Sequence, residues 1–268
     1  MNVDGNTREL SNKLNTARAI YWTDTTNHKI QRSDINGANV EDVVASGLQS
    51  PLGIALDVIG RKVYWTDYGT HMVQRSNFDG TDVEDLVEEL PQPRHMALDV
   101  EDGKIYWADS TSNKIQRSDL SGANVEDLVM NIPGAGVALD LEARKMYWSD
   151  PFLGKRNLRA NLDGSCIEIL SDGLFIQVGI ALDVDSDRMY WADYETGIQS
   201  SKLDGTDVRD VVSGIGAPRC VALDLVAREI YWTDVGVGRI LRSGLGGLNV
   251  QEVVTGINPA GIALDLRY

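Results

Sequence analysis

Six carboxylates close the same tripeptide, Ala-Leu-Asp, along the chain: Asp57, Asp99, Asp140, Asp183, Asp224 and Asp265. Gathered around one axis, they would be hard oxygen ligands suited to Ca2+ or another divalent cation. Asp183-Val184-Asp185-Ser186-Asp187 also resembles part of a calcium loop, although the glycine and glutamate that complete such a loop are missing. The three histidines, His28, His71 and His95, offer a pH-responsive contact or a transition-metal site, but no carboxylate–histidine spacing supports the metal. Cys166 and Cys220 are too few for a disulfide framework and match no zinc spacing, so both read as small apolar residues, buried or half-buried. Repetition argues for architecture in the aspartates: a strand-end Asp commonly accepts backbone N–H bonds from the next turn. No cofactor is expected, with Ca2+ in a central channel as the alternative.

The elements that position these groups follow from a second repetition. Trp22, Trp65, Trp107, Trp148, Trp191 and Trp232 are the only tryptophans, separated by 43, 42, 41, 43 and 41 residues, each within a Tyr-Trp-x-Asp motif. A period near 42 is that of a four-stranded propeller blade. In the second repeat, Gly53–Asp57 reads as a short apolar strand and Val58–Arg61 as a turn. Lys62–Asp67 is a second strand, Tyr68–Thr70 a turn and Met72–Ser76 a third strand. Phe78–Thr81 is a hairpin turn before a fourth strand, Val83–Val87. No unit shows a helical period, which excludes a two-helix solenoid.

Counting strands decides between an open array and a ring. The Ala-Leu-Asp strand is missing before Trp22 and appears as a surplus after the sixth repeat, in Gly261–Tyr268. The C-terminal strand is therefore expected to pair with the first Tyr-Trp strand, giving an all-β, six-bladed propeller with four antiparallel strands per blade and no open edge. The propeller spans 19–268. Residues 1–18 read as a tail or a worn remnant repeat, because Val3–Leu10 resembles Leu203–Val211.

Composition bounds the partners. The chain has 268 residues and a net charge of -15, with no apolar run long enough to cross a bilayer. This argues against nucleic acid and membrane insertion and favours a monomer that meets a protein partner carrying a basic patch. The N-terminus lacks the apolar core of a signal peptide.

On these six motifs, IYWTD, VYWTD, IYWAD, MYWSD, MYWAD and IYWTD, the chain resembles the YWTD propeller, the class B repeat of the low-density lipoprotein receptor family, also found in nidogen. The resemblance covers residues 19–268. It implies a six-bladed propeller that binds proteins without catalysis, in an extracellular or secreted setting. The chain departs from animal receptors of this family in lacking cysteine-rich modules and disulfides.

Function is expected in the loops that differ between repeats. In this strand order, the turns after the Tyr-Trp strands share one face, the top, with the loops entering the innermost strands. They hold His28, Tyr68, His71, Arg94, His95, Phe152, Leu153, Phe175, Tyr194, Glu195 and Arg219, the aromatic and arginine types that anchor interfaces. Two alternatives are a metal-dependent hydrolase resembling propeller lactonases, and a consensus-like repeat protein without a ligand. For the hydrolase, the channel-top positions Gly53, His95, Gly136, Gly179, Cys220 and Gly261 supply no carboxylate.

Overall fold

A computed structural model describes residues 18–174 and 177–267. Its 24 strands form six four-stranded antiparallel sheets, and no helix occurs among the described residues. Blade two runs Pro51–Asp57, Lys62–Asp67, Met72–Asn77 and Glu84–Val87, innermost to outermost, within two residues of the bounds expected from sequence. The ring closes as expected: Pro259–Leu266 is the innermost strand of blade one and pairs with Arg18–Asp24, with Tyr21 opposite Ala263. The tail at 1–17 lies outside the described residues.

Period-two patterning explains the strands, and the interfaces between blades explain the motif. Each Tyr-Trp strand is buried on both faces, so its Tyr points to one neighbouring blade and its Trp to the other. The six core clusters pair the Tyr of one blade with the Trp of the next: Tyr21 with Trp65, Tyr64 with Trp107, Tyr106 with Trp148, Tyr147 with Trp191 and Tyr190 with Trp232. Tyr231 with Trp22 closes the circle. All six indoles are fully buried. Each large ring contributes up to several kcal/mol, at ~25 cal/mol per Å2 over ~150–250 Å2.

The third motif residue ties the blades together through one hydroxyl. Thr23 Oγ1 accepts the Gly261 N–H of its own innermost strand at 2.8 Å and donates to the Leu52 carbonyl of the next blade at 2.8 Å. Thr66, Ser149 and Thr233 do the same between later blades. Where blade three has Ala108 instead, the His95 N–H donates directly to the Ala135 carbonyl at 3.0 Å. The motif Asp collects turn N–H groups; Asp67 accepts from Gln49, Ser50, Gly69 and Thr70.

The hairpin turns need left-handed residues. Gly80 has φ 79°, and a side chain there would overlap the Val43 carbonyl of blade one. Two residues later in each such turn stands another left-handed residue: Asn39, Asp82, Asn124, Asp207, Asn249 and, in blade four, Cys166. Cys166 is therefore exposed, which corrects its reading as a buried or half-buried apolar residue. The turn fixes its backbone in the left-handed region and leaves its side chain at the surface.

Candidate partner-binding site at the top of the ring

The site is built on the entries of the innermost strands. Four of the six channel-top positions are glycine because neighbouring backbones meet there. A Cβ on Gly53 would lie 2.7 Å from the Arg94 carbonyl oxygen and from the His95 Cα, and one on Gly179 would lie 2.5 Å from the Cys220 Cα. The other two positions are His95 in blade three (innermost strand Pro93–Asp99) and Cys220 in blade six (Pro218–Asp224). These blades face each other across the ring, and His95 Nδ1 meets Cys220 Sγ at 3.7 Å.

This pair forms an inert floor. Burial, reinforced by the charges of Arg219 and Arg94, holds the His95 imidazole down to about 3, and burial pushes the Cys220 thiol up to about 11. Near neutral pH both are uncharged, so the pair supplies neither thiolate nor imidazolium. His95 was expected on the exposed top face as a pH-responsive contact. It is instead 6% exposed, because strand alternation turns its side chain into the channel.

Arg94 and Arg219 immediately precede these two residues and stand at the mouth above them. With Phe152, Tyr194, Ala135 and Val178 they line a hollow of about 300 Å3 over blades three to six. Arg94 Nε donates to Ser110 Oγ at 2.9 Å, and its guanidinium lies 5.5 Å from the Phe152 ring centroid and 5.7 Å from that of Tyr68. Arg219 is half-buried. Among the described residues, neither arginine forms a salt bridge. Burial depresses both guanidinium pKa values, and for Arg219 the nearby charge of Arg94 adds to the effect. The turn that carries Phe152 is fixed by Asp150, which accepts from the N–H groups of Phe152, Leu153 and Gly154 at 3.2, 3.0 and 3.0 Å. That leaves Phe152 48% and Leu153 71% exposed.

Of the residues singled out from sequence, Arg94, Phe152, Tyr194 and Arg219 meet in the hollow, and Tyr68 flanks it through Arg94. Leu153 and Glu195 are exposed beside it. His28 and His71 are exposed but sit in separate turns, each at a left-handed position. His71 Nδ1 lies 3.0 Å from the Leu90 carbonyl oxygen and outside the hollow. Phe175 lies outside the described residues. Sequence reasoning missed the apolar walls, Ala135 and Val178 among them, which are ordinary small residues until the ring brings their strands together.

The Ala-Leu-Asp aspartates end at the bottom face and serve turns there. Asp57 accepts from the Gly60 N–H at 2.7 Å, Asp140 from Ala143 at 2.9 Å and Asp224 from Ala227 at 2.8 Å. Arginines of following blades lie beside three of them: Arg144 at 3.6 Å from Asp99, Arg228 at 3.3 Å from Asp183, and Arg18 against Asp224. Among the described residues, no group of three or more His, Cys, Asp or Glu is placed to hold a metal ion, and no helix is long and apolar enough to cross a membrane.

Comparison with known proteins places this geometry. Residues 18–58 match the family model for the low-density lipoprotein receptor repeat class B. A 43-residue segment is 46% identical to low-density lipoprotein receptor-related protein 4 of Homo sapiens, covering 16% of this chain and 2% of that protein. A 46-residue segment is 48% identical to low-density lipoprotein receptor-related protein 5 of Homo sapiens, covering 16% of this chain and 3% of the relative. The matches thus span a small fraction of the relatives' length. Among solved structures, a chain from the crystal structure of a nidogen/laminin complex superposes with a TM-score of 0.85 at 19% identity, covering 93% of this chain and 98% of that one. A gluconolactonase from Xanthomonas campestris superposes with a TM-score of 0.69 at 18% identity, covering 79% of this chain and 78% of that one. At such identities the structural likenesses show the fold alone. Residues 18–58 thus match a low-density lipoprotein receptor class B repeat, five more units carry the same Tyr-Trp-x-Asp motif in register with it, and the closed six-bladed ring they form resembles the YWTD propellers of that family.

Proposed function

We propose that the chain is a non-catalytic, protein-binding scaffold whose partner docks on the top face over blades three to six. The observation that carries this reading is the hollow itself, where Arg94, Arg219, Phe152 and Tyr194 converge above a rigid, glycine-packed floor. Aromatic and arginine side chains on a rigid base are the usual anchors of protein interfaces. The relatives' names support it: two are receptor-related proteins, and the nidogen/laminin complex is an assembly between proteins. The same relatives support an extracellular setting. The net charge of -15 favours, at long range, a partner of basic character met by a monomeric propeller without a cofactor. The likeness to a gluconolactonase lends a hydrolase reading no residues: the channel top offers four glycines, a neutral imidazole and a protonated thiol.

The test is a screen of the chain against extracellular proteins, followed by hydrogen-exchange footprinting of the tightest binder. Protection is expected at Arg94, Phe152 and Tyr194. Raised salt should slow association, and Phe152→Ala should speed dissociation. Protection confined to the bottom turns, around Arg61 or Asp102, overturns the assignment.

A further inference from the structure

We infer that the mouth between Arg94 and Arg219 is a receptor for one carboxylate, presented by an acidic side chain of a protein partner with an apolar residue beside it. The inference rests on the top face being the partner-binding surface and adds what chemistry that surface selects.

The argument starts from how this chain treats its other arginines. Among the described residues, only Arg61, Arg94 and Arg219 lack a carboxylate partner; every other arginine forms a salt bridge. Arg61 lies over the Phe78 ring, 5.6 Å from its centroid. Arg94 and Arg219 are the two such cations that share a hollow. They occupy the same position of opposite blades, Pro93-Arg94 and Pro218-Arg219, where the other blades carry Leu52, Ala135, Val178 and Ala260. Folding gains nothing from placing two half-buried like charges around one cavity. A chain of net charge -15 has many carboxylates that could have paired with them, yet among the described residues none forms a salt bridge with either, and Asp109 acts on Arg94 only at longer range.

The surroundings define the ligand further. Arg94 is held in place by Ser110 and by the rings of Tyr68 and Phe152, so its guanidinium is oriented before any ligand arrives. Planar guanidinium groups match a carboxylate through paired N–H donors, and the interaction strengthens where water is partly excluded. Between the arginines the wall is apolar, with Ala135 and Val178 below and Phe152 and Tyr194 exposed at the rim. A cavity of about 300 Å3 sits at the lower end of small-ligand pockets, which run ~300–1,000 Å3. It accepts side chains from a protruding loop and no larger element. The acidic body and the cationic mouth act at different ranges, so a partner of basic overall character can still present a single Asp or Glu here.

The test is selection of displayed random peptides on the intact chain, with the Arg94→Gln/Arg219→Gln double variant as the counter-target. The expected result is a family of peptides with one Asp or Glu next to an apolar residue. Changing that residue to Asn or Gln in a synthetic copy should weaken binding by about tenfold or more, as should Arg94→Gln or Arg219→Gln in the protein. Melting temperatures of the variants must match the parent, which separates binding loss from unfolding. Selected peptides without an acid that still lose binding with Phe152→Ala would overturn the carboxylate receptor and leave the top face as the docking surface. Peptides unaffected by either the arginine variants or Phe152→Ala would overturn both. No enrichment over the double variant counts against the receptor, as does saturable binding of acetate, citrate or inorganic phosphate without any peptide, which would make the mouth a small-anion site.

Discussion

Arg75 and Arg219 are the same residue type put to opposite uses. Arg75, on the third strand of blade two, is met on all sides: Glu84 at 2.8 Å, the Tyr64 hydroxyl at 3.3 Å and the Leu120 carbonyl of the next blade at 3.0 Å. Arg219, at the mouth, is half-buried near Arg94 with no salt bridge among the described residues. The guanidinium of Arg75 is met within the chain, whereas neither guanidinium at the mouth has a salt-bridge partner among the described residues. On the proposed function, the difference sets residues that hold the ring together apart from residues that meet a partner, and substitutions can break or sharpen it.

The largest effect should come from the frame. Trp107→Ala removes a fully buried indole from the interface with Tyr64 and should cost about 3–5 kcal/mol in denaturant titration. Phe152→Ala, 48% exposed at the mouth, should cost less than about 1 kcal/mol. Equal losses would place Phe152 in the frame.

The floor of the mouth supplies the next effect, which has a defined sign. His95 titrates at 6.5 as an ordinary imidazole and at about 3 in the fold, so between those values the unfolded chain binds more protons. This contribution to stability is fully present above about 6.5 and is lost as pH falls toward 3, with a limiting slope of about 1.4 kcal/mol per pH unit. Carboxylates of the frame add their own acid sensitivity. Comparing stability at pH 7 and 4.5 in the parent and in His95→Gln isolates the histidine: the variant should lose less. Parallel losses would mean that the imidazole is not held neutral in the channel.

The arginine comparison can be tested directly. Arg75→Met should cost about 1–2 kcal/mol by stranding Glu84, the Tyr64 hydroxyl and the Leu120 carbonyl. Arg219→Met should leave stability unchanged or slightly raised, since it removes a half-buried charge beside another of the same sign. A loss above about 1 kcal/mol at Arg219 would show that the guanidinium serves the fold.

The smallest effect tests the hydroxyl bridge. Thr66→Ala should cost about 0.5–1.5 kcal/mol, and Thr66→Ser should recover most of it, since only the hydroxyl joins Gly53 to Arg94. A full loss with serine would assign the role to the methyl group.

The sequence by itself determined the frame. Six Tyr-Trp motifs at a constant period, turn residues between alternating strands, and a surplus C-terminal strand were enough to set blade number, strand order and closure. Each of these is a local pattern repeated, and a repeat shows its own structural needs without a second sequence. The Ala-Leu-Asp aspartates likewise read correctly as turn acceptors, since their partners lie three residues on. The mouth was legible only as a set of residue types on one face. What tertiary structure decided was which of them meet: Arg94 and Arg219, 125 positions apart in the numbering, share one hollow, while His71 turns away and His95 drops into the channel against Cys220. The physical reason is the ring. Closing six blades places the entries of all innermost strands around one axis, so distances across the mouth depend on the closure of the whole chain and bear no relation to spacing along it.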